Sequence, residues 1–289
     1  GNISQLLRLL VTHINHPVYR NVVDGMESRE IARLSHAGIA RELDYVTSES
    51  PLSINVTDSK NSTFEMGITM RTEGDDRRLI LGFLYSERVI ESITDVSSIN
   101  IDDGVASVVL NESSSFDSDL HQRNSTVTSS CGLCGRTDLN GLLESENTLL
   151  DEEMSISLDA VSVCLNSIHS DQPIFSRTGG SHACASFRGD GSIDCVFEDV
   201  GRHNAFDKMV GYYLESGLIP KPGFGAFVSG RASFELVQKC IRGGFPIMIA
   251  IGAPSSLAVD ISNEYGLTLG CFARNDGLTL FSGVRRVVE

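Results

Sequence analysis

The sequence predicts an α/β (α+β) chain: a mixed sheet with helices on its faces, joined to a smaller, mainly β part on its N-terminal side. Three observations lead to this class. Short apolar strands alternate with single helices through the second half, the pattern of βαβ units with helix-covered sheet faces. Strand signals dominate residues 41–110, with one helix among them. The 289 residues are 41% apolar and 21% charged, an ordinary globular composition with ample core.

Taken in order, residues 1–40 form a poorly defined segment. "MESREIARLSHAGIARELDYV" mixes polar and apolar side chains and reads as a helix followed by a strand. Residues 41–110 make the smaller domain. "SPLSINV" and "FEMGITM" are strands, and "EGDDRRLILGFLYSERVI" is a helix with Leu79, Ile80, Phe83 and Leu84 at helical spacing. "SSINIDDGVASVVL" is a hairpin turning on Asp-Gly. Residues 111–136 follow as a loop. Nine of the twenty residues 111–130 are Ser or Thr, so a mobile, polar connector is expected, and it carries "CGLCG".

Residues 137–289 make the larger domain. "LNGLLESENTLLDEEMSISLDAVSVCLNSIHS" reads as two helical pieces. "HACASFRGDGSIDCVFEDV" is a strand, an Asp-Gly turn and a strand, with Ile193, Cys195 and Phe197 on one face. "NAFDKMVGYYLESG" is an amphipathic helix with Asn204 as N-cap and Gly217 as its stop. The strands "GAFVSG", "PIMIAIG" and "LTLGCFAR" then alternate with the helices "RASFELVQKCIRGG" and "SSLAVDISNEYG".

Charge narrows the partners. The formal net charge of −15 excludes a general binder of nucleic acid or of anionic membranes, and no run approaches 18 apolar residues. An anionic ligand therefore needs a local cationic cluster, and most cations here are Arg, suited to bidentate grips on phosphate. The seven Cys are odd in number and mostly isolated, and no export signal is visible at the start. Reduced thiols and a cytoplasmic setting are expected, with Cys164, Cys184, Cys195, Cys240 and Cys271 as buried structural residues.

Five polar motifs sit where strands end. In "VSGRASFE" a strand ends at Ser229, Gly230 turns the chain, Arg231 offers a guanidinium fork and Ser233 opens a helix whose free N–H groups favour an anion. "AIGAPSSLAVD" repeats that design: Pro254 breaks the strand, and Ser255 or Ser256 opens a helix. Two such turns on one sheet edge would lie side by side, the usual ligand position in open α/β sheets. "RTGGSH" allows close backbone approach at Gly179 and Gly180, flanked by Thr178 and His182. "FEDVGRHNAFDK" gathers Glu198, Asp199, Arg202, His203, Asn204, Asp207 and Lys208 at a strand-to-helix junction, more polar groups than helix capping and ion pairing need. "LGCFARNDG" reads, from its residues alone, as a hairpin turn.

The CxxC admits three readings: a zinc site, a redox pair, or a sulfur shuttle. Structural zinc normally takes four ligands, and no second CxxC or spaced His pair is present, so no metal is expected. A fixed redox pair would follow a strand and open a helix, whereas this one follows a polar loop. Zinc deaminase chemistry is disfavoured because His182-Ala183-Cys184 lacks the required Glu and the CxxC precedes the His.

Together, "CGLCG", "TGGSHACASF", "EDVGRHNAFDKMVG", "SGRASFELVQK", "APSSLAVDIS" and "GLTLGCFAR", in this order, resemble the FdhD family of formate dehydrogenase accessory sulfurtransferases. The similarity runs from about residue 41 to the C-terminus. It departs in residues 1–40, at Glu73, where Pro is commoner, and at Cys184, where Ala is commoner. The resemblance implies a cytidine-deaminase-like larger domain and a cytoplasmic homodimer. It implies persulfide sulfur carried on Cys131, with Cys134 as its partner, from a cysteine desulfurase to a bound Mo-bis(molybdopterin guanine dinucleotide), before that cofactor enters the formate dehydrogenase catalytic subunit. A guanine nucleotide would mimic the cofactor. Phe272, Ala273, Arg274, Asn275, Asp276 and Gly277 would then bind it, displacing the plain-hairpin reading. Thr178, Gly179, Gly180, His182, Arg202, His203, Asn204, Lys208, Ser229, Gly230, Arg231 and Ser233 would line its nucleotide and phosphate pockets. The alternative is a non-catalytic chaperone of the same cofactor.

Overall fold

The computed structural model describes residues 22–23, 25–112, 114, 116, 150 and 153–288. Cys131, Cys134, most of the Ser-rich stretch and the first helical piece expected after it lie outside the described residues.

The segment expected to begin with a helix is instead a β-ribbon. Met26–Ser35 (β2) and Gly38–Thr47 (β3) pair antiparallel along their whole length, and Val22–Val23 (β1) borders β2. Gly38, at φ 117, allows the tight return. On one face Arg33 bridges Glu42 and Asp44 across the strands, and the other carries Leu34, Ile39 and Leu43. The division placed at 40/41 falls within β3.

Four strands follow: Ser50–Thr57 (β4), Thr63–Arg71 (β5), Val96–Asp102 (β6) and Val105–Leu110 (β7), ordered β5-β4-β7-β6 with β4 and β7 parallel. Alternate residues Leu52, Ile54 and Val56 of β4, and Ala106, Val108 and Leu110 of β7, are buried, as a one-faced sheet requires. They pack on Asp76–Ser86 (α1) through Leu79, Ile80 and Leu84. Asp103 and Gly104 both take positive φ at the expected β6–β7 turn.

The larger sheet has six strands: His182–Phe187 (β9), Ile193–Asp199 (β10), Gly225–Val228 (β11), Ile247–Ala250 (β12), Thr268–Arg274 (β13) and Gly277–Ser282 (β14), in order β10-β9-β11-β12-β13-β14. β11, β12 and β13 are parallel, joined by Phe234–Arg242 (α5) and Ser256–Glu264 (α6), the βαβ units read from the sequence. A short parallel pair, Ile156–Ser157 (β8) with Val287–Val288 (β15), brings the C-terminal strand beside the start of Leu158–Ser170 (α2). Pro173–Thr178 (α3) precedes β9, and Arg202–Glu215 (α4) follows β10.

One apolar core joins the two sheets, from Leu52 and Ile54 through Leu84 to Phe206, Val210 and Leu236. A second, with Val161, Cys164, Phe187 and Ile249, lies under α2 on the opposite face of the six-stranded sheet. The helices α1 and α4 touch through glycine. A Cβ on Gly82 would stand 1.9 Å from the carbonyl oxygen of Asp207, and one on Gly211 would stand 1.9 Å from that of Arg78. Only glycine permits this approach, which locks the small sheet onto the large one.

Two local expectations change. A bulge between Ile193 and Cys195 shifts the register of β10, so Ile193 joins the second core while Cys195 and Phe197 pack in the first. Asn204 lies inside α4, whose N-cap is Gly201. Gly217, at φ 64, does end the helix, with the Gly217 and Leu218 N–H groups bonding back to Leu214 and Tyr213. No helix among the described residues is long and apolar enough to cross a membrane.

Candidate functional site

The polar motifs converge at the C-terminal ends of β11, β12 and β13. Ser233 caps α5 by accepting from the Leu236 N–H, and Ser255 caps α6 by accepting from the Ala258 N–H. The two turns are zipped together: Gly252 N donates to Gly230 O (3.0 Å), Ala232 N to Ala253 O (3.1 Å) and Ser255 N to Ala232 O (3.0 Å). A Cβ on Gly252 would lie 2.9 Å from the Arg231 N and Cα and from the Gly230 carbonyl oxygen. The cradles therefore form one rigid edge, with both helix N-termini opening beside each other.

Arg202 and His182 flank this edge. The Arg202 Cδ and the His182 Nδ1 would lie 3.2 and 3.6 Å from a Cβ on Gly230, so both side chains border the glycine turn. Ser229 Oγ accepts from the Ala183 N–H at 2.9 Å and lies 3.5 Å from His182 Nδ1. Burial, and then the charges of Arg202 and His203, hold the His182 imidazole below its ordinary pKa, so it stays neutral near pH 7. Arg202 Nε is buried and has no hydrogen-bond partner among the described residues. An uncompensated guanidinium N–H beside a half-buried neutral imidazole and a helix N-terminus favours an anion. His203 Nε2 contacts Ser233 Oγ at 3.2 Å and Glu235 Oε2 at 3.0 Å, which ties α4 to the start of α5.

Other expected ligands face inward. The Lys208 ammonium is buried, paired with Asp199 at 2.8 Å and donating to the carbonyls of Thr72 (3.0 Å) and Glu198 (3.2 Å). Asn204 donates to Met70 O (2.7 Å) and Asp199 Oδ1 (3.1 Å), and accepts from Thr69 Oγ (3.0 Å). Both bind the small sheet to α4. Asp199, one of the polar run, organises them, also accepting from the N–H groups of Thr72 and Gly201. The Thr178 hydroxyl is engaged by Thr47 (2.7 Å) and the Ile174 carbonyl (2.8 Å). Gly179 is the left-handed C-cap of α3, and a Cβ on Gly180 would meet Thr47 at 2.7 Å, so this turn seats the β-ribbon. Glu198 holds it from below, accepting from Ile174 N, Phe175 N and Ser181 Oγ.

The FARNDG stretch is both a hairpin turn and a neighbour of the cradles. Phe272 N bonds to Gly252 O at 3.3 Å. Phe272 sits at a bulge with φ 55, a backbone region that bulky L-residues avoid, and its side chain is 45% exposed. Its ring leans on Phe281 at 6.2 Å between centroids. Ala273 is buried in the second core. Arg274 donates to Ile251 O (3.3 Å), and Asn275 is held to α2 by Ser162 and Asn166, leaving Asp276 exposed and Gly277 with open space where a Cβ would be. A strained backbone that presents an exposed ring next to two anion cradles can stack a planar base.

Gly252 and Glu235 support the site without having been singled out in the sequence. Gly252 had a signal, since it precedes the Pro254 turn at a strand end; Glu235 had none, because its partner His203 lies on another helix. Among the described residues no group of three or more His, Cys, Asp or Glu side chains could hold a metal ion. Burial raises the thiol pKa of Cys164 and Cys271 to about 12 each, and raises those of Cys184, Cys195 and Cys240 as well.

Comparison with known proteins agrees with this architecture. The sulfur carrier protein FdhD of Sulfurisphaera tokodaii is 40% identical over 250 residues, covering 86% of this chain and 94% of that protein. The protein of that name from Saccharolobus solfataricus is 38% identical over 259 residues, covering 89% and 96%. The crystal structure of a candidate formate dehydrogenase accessory protein from Desulfotalea psychrophila superposes with a TM-score of 0.71 at 21% identity, covering 91% of this chain and 99% of that one, which shows the shared fold. The FdhD/NarQ family model matches residues 47–288, from the end of the β-ribbon through both sheets, and the chain belongs to the FdhD/NarQ family.

Proposed function

We propose that this protein is a sulfur carrier that moves persulfide sulfur from a cysteine desulfurase to Mo-bis(molybdopterin guanine dinucleotide) bound at the β11–β13 edge, as a cytoplasmic homodimer serving a formate dehydrogenase catalytic subunit. The observation behind it is the joined pair of cradles, with Arg202, Arg231 and His182 for phosphate and Phe272 for the guanine base. The relatives' sulfur-carrier name supports the chemistry. So does the state of the other thiols: the five described cysteines have pKa values raised by burial, which leaves Cys131 and Cys134 to supply a reactive thiolate.

The chemistry balances in two exchanges. The Cys131 thiolate attacks the outer sulfur of the desulfurase persulfide; that S–S bond breaks, a new one forms on Cys131, and the donor's thiolate leaves. The Cys134 thiolate then attacks the inner sulfur of the Cys131 persulfide, forming a Cys131–Cys134 disulfide and releasing sulfide to the molybdenum substrate. The two electrons that reduce the sulfur come from the thiol pair, and a dithiol reductant restores it.

The test is mass measurement after incubation with a desulfurase and cysteine. Wild type is expected to gain one labile sulfur atom on the 131–134 peptide, and Cys131→Ala none. A stable persulfide on that peptide in Cys131→Ala would overturn the assignment of Cys131. A Cys131→Ala/Cys134→Ala protein that still fully activates formate dehydrogenase would favour the chaperone reading.

A further inference from the structure

The β2–β3 ribbon has two unlike faces. On one, the charges are satisfied within the chain: Arg29 pairs with Glu27, and Arg33 bridges Glu42 and Asp44. The register places Ser28, Glu30, Ala32 and Leu34 of β2 on the other face, opposite Tyr45, Leu43, Arg41 and Ile39 of β3. At the base of that face Arg177 of α3 stacks over the Tyr45 ring at 4.2 Å. Beyond it Leu34, Ile39 and Leu43 are 77%, 71% and 73% exposed, the most exposed large apolar side chains among the described residues. Within that apolar strip stand one acid and one base, Glu30 and Arg41, both exposed and neither in an ion pair among the described residues.

Beyond its seat on α3 the ribbon is largely exposed among the described residues, and a two-stranded hairpin without cover is marginal in water. An apolar strip of this size marks a contact surface. Its charges indicate what covers it. An acid and a base two residues apart along the ribbon complement the same pair inverted, which is the condition for an isologous contact. When two ribbons pack face to face and antiparallel, about 10 Å apart, centred between the Glu30 and Arg41 levels, Glu30 comes within reach of the partner's Arg41, and Arg41 of the partner's Glu30. The leucines and Ile39 are then enclosed between the ribbons.

We propose that this ribbon face is the self-association surface of the protein, its occupant the same face of a second copy, with registry set by reciprocal Glu30–Arg41 pairs. This deepens the homodimer element of the proposed function. Its readout is independent of sulfur chemistry, so either can fail while the other stands.

Sedimentation velocity over a range of protein concentrations tests it. Wild type is expected to sediment as a dimer. Leu34→Lys/Leu43→Lys is expected to raise the dissociation constant about a hundredfold, by removing the central apolar contacts. Glu30→Arg and Arg41→Glu each place like charges opposite one another twice, and each is expected to weaken self-association about tenfold. Mixing those two variants restores opposite charges at both contacts, so a heterodimer as tight as the wild-type dimer is expected. Circular dichroism and nucleotide binding confirm that each variant is folded. A monomeric wild type, a Leu34→Lys/Leu43→Lys protein that remains dimeric, or single-charge variants that fail to recover on mixing would each overturn the assignment; the first would mean that another segment or another protein covers the face.

Discussion

Replacing Phe272 by glycine separates two roles that the residue combines. Its backbone lies at φ 55, where an L side chain costs about 1–2 kcal/mol and glycine costs nothing. Glycine adds about 0.5–1 kcal/mol of unfolded-state entropy and loses the ring contact with Phe281, about 0.5 kcal/mol for a side chain that is 45% exposed. These terms nearly cancel, so Phe272→Gly is expected to melt within about 3 °C of wild type. Phe272→Ala keeps the strain and loses the ring, and should be less stable than Phe272→Gly by about 1 kcal/mol. Binding moves differently. Base–aromatic stacking is worth about 1–3 kcal/mol, so both variants should bind GDP about tenfold to a hundredfold more weakly. Calorimetric titration with GDP and thermal melting provide the two readouts. A Phe272→Gly protein that binds GDP within about twofold of wild type would refute the platform. A Phe272→Gly protein clearly less stable than Phe272→Ala would show that the backbone is not strained.

Gly252→Ala places a methyl against the Arg231 backbone and the Gly230 carbonyl, all at 2.9 Å, so it should destabilise by about 2 kcal/mol and weaken GDP binding about tenfold. Gly277→Ala, with open space at the same sheet edge, should leave the melting temperature unchanged; equal effects of the two would sink the coupling of the cradles. Lys208→Met strands the buried Asp199 carboxylate and should cost about 3–5 kcal/mol in urea unfolding, with most of it recovered in Lys208→Met/Asp199→Asn; a mild single variant with lost GDP binding would make Lys208 a ligand after all. His182 has a folded pKa below its unfolded value, so the unfolded chain binds more protons. Its contribution to stability is therefore present above about pH 6.5 and lost as pH falls through the lower folded value. A phosphate beside it favours the protonated form, so GDP affinity should rise as pH falls from 8 towards 6, and His182→Gln should flatten that slope.

The parts of the fold legible in the sequence were those set by neighbours in the chain. Ser233 and Ser255 cap the helices they precede, Asp103-Gly104 turns its hairpin, and Gly217 stops α4. The β2–β3 ribbon was not legible because both of its faces mix apolar and charged residues: Ile31 and Val46 stand among Arg29, Arg33, Glu42 and Asp44, and Glu30 and Arg41 among Leu34, Ile39 and Leu43, so the two-residue period is blurred. The bulge at Ile193 was equally silent, since one inserted residue leaves no mark on composition.

The polar run at the start of α4 shows where sequence reasoning about the site reached its limit. Its spacing is informative, because residues four apart share a helix row. Asn204 and Lys208 form one row, and His203 and Asp207 the next. The first row meets Thr69, Met70 and Thr72 of the small sheet, and the second meets α5, where His203 reaches Ser233 and Glu235 and Asp207 pairs with Lys239. Arg202 alone, at the first turn, is left pointing along the cradle edge, against Gly230. Five polar side chains thus divide into two inward seams and one outward cation. That division is set by which helix and sheet pack beside α4, hence by Gly82 and Gly211 at the helix crossing, and not by the motif that contains them. If so, Gly211→Ala should disturb nucleotide binding from the far end of the helix, by rotating the Arg202 row away from Gly230, and a variant that folds with unchanged GDP affinity would show that the cradle holds Arg202 without the crossing.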